Sequence, residues 1–87
     1  MGDEWPDWWQ WELELTPHLL KRMLDRGFNE IDLRQMLDNA TGYRPSATAG
    51  RYVVTARYDS RDWEIVVEPD ELTQQLLVIT AYALEKP

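Results

Sequence analysis

From Arg51 to Ala83 the chain consists of three strand-like runs joined by short connections, and this limits the fold more than any other feature. Arg51–Tyr58 is rich in Val, Thr and Tyr, Asp59-Ser60-Arg61-Asp62 reads as a turn, and Trp63–Glu68 reads as a second strand. Pro69-Asp70-Glu71 breaks that strand, and Leu76–Ala83 forms the third. Branched and aromatic residues favour strands, whereas Asp, Ser and Pro favour turns. Parallel neighbours need a crossover of about a dozen residues or more, so these connections predict an antiparallel meander. Strict alternation then puts Arg51, Val53, Thr55 and Arg57 on one face and Tyr52, Val54, Ala56 and Tyr58 on the other. It also groups Glu64, Val66 and Glu68, and in the last strand Leu76, Val78, Thr80 and Tyr82.

The first half changes period. Trp11-Glu12-Leu13-Glu14-Leu15 alternates and predicts a short strand. Thr16-Pro17 is a cap followed by a first-turn proline, and Gly27 is a natural helix stop. Between them Leu19, Leu20, Met23 and Leu24 form an apolar stripe. Asn29, with Asp32 three residues on, opens a second helix. Ile31, Leu33, Met36, Leu37 and Ala40 are expected to be its buried face, and Gly42 its end, with Tyr43–Gly50 as a loop. The order is strand, helix, helix and then three strands. Segregated elements of this kind predict an α+β domain with both helices covering one sheet face.

At 87 residues the chain is expected to form one domain over 11–83, with a leader over 1–10 and a tail over 84–87. The net charge of −7 is unevenly spread. Residues 1–14 hold five acids and no base, while the other eleven acids nearly balance nine bases. The leader is therefore acidic and the body nearly neutral, which weakens a charge argument against nucleic acid. Trp5, Trp8, Trp9 and Trp11 lie in the same segment. Tryptophan is costly to leave in water, so at least some of these rings should dock on the body. The alternative is an acidic aromatic peptide that anchors a protein partner through Trp5, Trp8 and Trp9.

Cysteine is absent, which excludes disulfides, thiolate metal sites and cysteine nucleophiles. One histidine rules out a poly-histidine zinc site, and no cofactor is expected. No apolar run approaches the roughly 18 residues of a membrane span, and no secretory segment follows Met1. A cytoplasmic protein without membrane contact is expected. Ser46 and Ser60 lack the strand–turn–helix setting of an activated nucleophile, and no glycine-rich phosphate loop is present.

The remaining candidates are cationic. His18, Arg22 and Arg26 share one polar stripe of the first helix with Asp25. Histidine exchanges protons near neutral pH, and arginine offers a fork to phosphate oxygens. Arg51 and Arg57 share a sheet face and are expected to project into one concavity. The bland reading of both sets is a solvated surface with weak ion pairs. An open edge at Leu76-Leu77-Val78-Ile79 offers a route to a homodimer.

The helix Thr16–Phe28, with its His18-x-x-x-Arg22-Met23-x-x-Arg26-Gly27 pattern, resembles a family of small bacterial proteins known as a domain of unknown function. Gly50–Val54, Trp63–Asp70 and Leu77–Tyr82 resemble its sheet, and the likeness spans roughly 11–83. That family is similar in layout to the BrnT and RelE ribonuclease toxins, which pack two N-terminal helices on an antiparallel sheet and cut RNA without metal. The resemblance implies His18 as general acid or base, with Arg22 beside it at the catalytic centre. It implies Arg26, Arg51 and Arg57 as phosphate holders, and Tyr82 as an orienting or assisting group. In BrnT-like proteins the last strand reads approximately Ile-Ser-Ala-Arg; here Ile79-Thr80-Ala81-Tyr82 replaces the arginine by tyrosine. The expectation is an RNA-directed, metal-independent ribonuclease or RNA-binding domain. The alternative is a non-enzymatic protein-interaction module of antitoxin or immunity type.

Overall fold

The computed structural model describes residues 5–84. Asp3 and Glu4 of the leader, and residues 85–87 of the expected tail, lie outside the described residues. A 3-10 helix over Asp7–Gln10 precedes β1 (Glu12–Leu15), α1 (Pro17–Arg26) and α2 (Glu30–Asp38). Four strands follow: β2 (Ala40–Pro45), β3 (Tyr52–Tyr58), β4 (Arg61–Asp70) and β5 (Gln75–Ala83). They join β1 in one sheet of order β1-β5-β4-β3-β2. Neighbours from β2 to β5 are antiparallel, whereas β1 lies parallel to β5. The domain is α+β with two helices and a mixed five-stranded sheet.

Local chemistry sets the helix ends and also fastens them to the sheet. The Thr16 hydroxyl accepts the Leu19 N–H at 3.2 Å and donates to the Val78 carbonyl at 2.8 Å. One side chain thus caps α1 and pins it to β5. Gly27 ends α1 with φ 73°, a left-handed conformation that glycine adopts without a Cβ penalty. Asn29 and Asp32 form a reciprocal capping box, with bonds of 2.9 and 3.0 Å. The other Asp32 oxygen accepts the Tyr58 hydroxyl at 2.6 Å, which ties α2 to β3. That bond, with help from the Asn29 backbone, holds the Asp32 carboxyl below its ordinary range. The same bond, then desolvation and nearby carboxylates, raises the Tyr58 phenol.

The core lies between the helices and one sheet face. Leu19, Met23, Leu33 and Met36 meet Val54, Ala56, Trp63, Ile65, Val67, Leu76, Val78 and Ala81. Several expectations need correction. Leu20, Leu24 and Ile31 point to solvent, with Leu24 86% and Ile31 67% exposed. One helix face is already filled by residues spaced three and four apart, leaving no second row to bury. The expected end of the second helix and the following loop contain a strand instead. Helix α2 stops at Asp38, and Ala40–Pro45 pairs with β3 as a fifth strand. Pro69 does not end β4: at this point only β5 flanks the strand, an edge-like setting that tolerates proline.

The last strand also departs from simple alternation. Val66 faces Thr80 and Val67 faces Val78, so Ile79 is an extra residue in a bulge. The phase therefore shifts. Leu76, Val78 and Ala81 are core residues, whereas Tyr82 leaves the face it was expected to share with Leu76 and Val78 and stands opposite Glu64 on the uncovered face. The apolar run is no open edge, because β1 pairs with Gln75–Val78.

The tryptophan leader is docked. Trp8 is buried, 5.1 Å from Tyr52 and 5.7 Å from Tyr43 between ring centroids. Trp5 stacks on Trp9 at 4.5 Å and also meets Tyr43 at 5.4 Å. Trp8 would have to leave these contacts to anchor a partner, whereas Trp5 and Trp9 keep part of their surface exposed.

Candidate anion-binding cleft at the sheet edge

Strand β1 accompanies β5 only as far as Val78, where Thr16-Pro17 turns the chain into α1. Among the described residues, the rest of β5 has no strand on that side. Arg26, in the last turn of α1, reaches across and donates to the Ala81 carbonyl at 2.7 Å. Beside it opens a cleft of about 350 Å³ lined by Arg26, Arg61, Trp63, Tyr82 and Ala83.

Each lining residue has a defined setting. Arg61 opens β4, its guanidinium carbon 5.9 Å from the Trp63 ring centroid. It has no carboxylate partner among the described residues. Trp63 is 6% exposed and packs edge-on against Phe28 at 5.4 Å. Its indole N–H is closed to solvent and has no hydrogen-bond acceptor among the described residues. Tyr82 donates to Glu64 at 2.7 Å, and Arg44 donates to the other Glu64 oxygen at 3.2 Å. The Glu64 bond, then desolvation and its charge, raise the Tyr82 phenol above its ordinary value, partly offset by Arg44 and Arg26. Tyr82 is therefore neutral at pH 7.

Of the residues singled out from sequence, the cleft brings together Arg26 and Tyr82. His18 is exposed in the first turn of α1, eight residues before Arg26, about 12 Å along the helix axis. It does not line the cleft. Arg22 pairs with Asp25 at 3.4 Å. Arg51 directly precedes β3 and Arg57 lies near its far end, roughly 20 Å away along an extended chain, so they do not share one concavity. Arg51 pairs with Glu68 at 2.9 Å and Arg57 with Asp62 at 3.1 Å. Arg61, Trp63 and Glu64 were not singled out. The available signal was spacing: Arg61 and Trp63 are two apart and share a strand face. In sequence, Arg61 lies inside the Asp59–Asp62 run that reads as a turn.

Among the described residues, no three His, Asp or Glu side chains are placed to hold a metal. No helix there is long and apolar enough to cross a membrane. Fold and cleft define a small two-layer α+β domain with a cationic notch at an incomplete sheet edge. The chain belongs to the family described as Domain of unknown function (DUF4258), matched over residues 15–83. The match takes in both helices and β2 to β5, and leaves the tryptophan leader outside. No curated protein and no solved structure matches the chain.

Proposed function

We propose that this chain is an RNA-directed domain of the cytoplasm that grips a phosphodiester between Arg26 and Arg61. The observation that carries the reading is Arg61, a guanidinium without a carboxylate partner among the described residues, placed with Arg26 on one cleft. Arginine binds phosphate oxygens in a fork, so two guanidinium groups on one cleft suit a phosphodiester. The resemblance to BrnT- and RelE-like toxins supports the same reading. In that comparison Tyr82 stands where an arginine is found, and here Arg26 and Arg61 share the cleft with Tyr82 and supply the missing positive charge.

The finer proposal is metal-independent cleavage. The Tyr82 oxygen would accept the proton of an attacking ribose 2′-hydroxyl while its own proton passes to Glu64, its partner at 2.7 Å; the 2′-oxygen would bond to phosphorus, the P–O5′ bond would break, and water would protonate the departing 5′-oxygen, leaving a 2′,3′-cyclic phosphate. Arg26 and Arg61 would stabilise the charge on the phosphorane. His18, outside the cleft, has no part in this step.

The test is a gel assay on structured and single-stranded RNA in the presence of chelator. Arg61→Ala should weaken binding about tenfold or more, the usual cost of losing a charge-assisted bond, and lower the salt dependence by about one ion. Tyr82→Phe should bind RNA but not cut it, and His18→Ala should do both. Loss of cleavage in His18→Ala alone would move the centre to α1. No binding by the unaltered protein would end the RNA reading and leave the protein-interaction module.

A further inference from the structure

A second cavity, about 150 Å³, lies where the leader meets α2 and the β1–β5 pair. Trp9 and Trp11 line it with Leu37 and Leu76, and Arg34 and Asp38 provide its charges. The two charges are not equivalent. Arg34 is engaged by Glu30 through two bonds of 3.0 and 2.7 Å. Asp38 makes no hydrogen bond or ion pair among the described residues. It is also the last residue of α2, whose final turn contains no base. The C-terminal end of a helix carries roughly half a negative charge, so a carboxylate there adds to an uncompensated field. Tryptophan faces likewise attract cations, and Trp is the strongest of the aromatic rings in this respect.

We propose that this pocket binds a monovalent organic cation, an alkylammonium or guanidinium head group, against Trp9, Trp11 and the Asp38 carboxylate. Its volume is well below the ~300 Å³ at which pockets begin to hold whole drug-sized ligands, so it takes a head group and not a nucleotide. The inference is independent of the RNA reading, since none of these residues lines the cleft.

The experiment titrates the full chain with methylguanidinium, tetramethylammonium and neutral N-methylurea, following the tryptophan indole N–H signals by NMR. A saturable shift at Trp9 and Trp11 is expected from at least one of the cations, and none from N-methylurea. Asp38→Asn should weaken binding about tenfold or more, as expected when a charge-assisted contact is lost. Trp11→Leu should abolish the shift at Trp9 while the fold is retained. A blocked Gly-Arg-Gly peptide separates the sources. Tighter binding than methylguanidinium assigns the pocket to a side chain of a protein partner, and equal or weaker binding assigns it to a free small-molecule cation. Equal shifts from N-methylurea, no shift from either cation, or unchanged affinity in Asp38→Asn would overturn the proposal.

Discussion

Replacing Trp8 by alanine tests whether the leader belongs to the folded unit. Trp8 is buried among Trp9, Tyr43 and Tyr52, with centroid separations of 5.1 to 6.0 Å. A tryptophan buries about 150–250 Å², which at ~25 cal/mol per Å² is roughly 4–6 kcal/mol of transfer free energy. Alanine retains a part of this, and the 3-10 segment can settle into some of the space. A loss of about 3 kcal/mol is expected, at the lower end of buried aromatic truncations. Small domains have only about 5–15 kcal/mol in total, so such a loss is large. It should lower Tm by roughly 12–24 °C, at about 4–8 °C per kcal/mol for a domain of this length. Urea unfolding followed by circular dichroism measures it directly, with an unchanged m-value as the sign that the transition remains two-state. Trp5→Ala should cost less, because Trp5 is only partly buried. A loss below about 1 kcal/mol for Trp8→Ala would refute the reasoning and show that the ring contacts contribute little to folding.

Gly27→Ala should cost about 1–2 kcal/mol in the same assay: an added Cβ meets no atom within 4 Å, so only the left-handed backbone at φ 73° is penalised. Thr16→Val should cost about 1–2 kcal/mol, since it removes both the α1 cap and the bond to the Val78 carbonyl. The Asp32–Tyr58 contact gives stability a pH dependence with a definite sign. Asp32 is depressed in the folded state, so its contribution is complete above the ordinary value of 3.8 and is lost as pH falls through the lower folded value. Tyr58 is raised, so its contribution is complete below 10.0 and is lost as pH climbs through the higher folded value. Tyr58→Phe should flatten both limbs of a plot of Tm against pH, and a curve unchanged in shape would contradict the assignment.

Much of the local structure was legible in the sequence because its causes are local. Thr16-Pro17, Gly27 and the Asn29/Asp32 box mark helix ends through bonds made within three or four residues. The runs after Arg51 form strands because alternation and branched side chains act over a handful of positions. Of the cleft, Arg26 and Tyr82 were legible as residue types suited to phosphate, but not their meeting.

What only the tertiary structure decided depends on partners far along the chain. Leu13 pairs with Leu76 and Leu15 with Val78, more than sixty residues away, and no periodicity in either segment states that they lie parallel. Ala40–Pro45 becomes a strand because β3 offers its backbone a ladder, although Ala40 and Gly42 also suit a helix end. The bulge at Ile79 is one extra residue accommodated against β4, and it moves Tyr82 to the face where Glu64 stands. The cleft exists because β1 is four residues long and stops beside Val78, which leaves the end of β5 to Arg26. Caps and periods are settled by atoms within one turn or one strand. Register, bulge and an unfilled edge are settled by which backbone groups find partners across the whole chain.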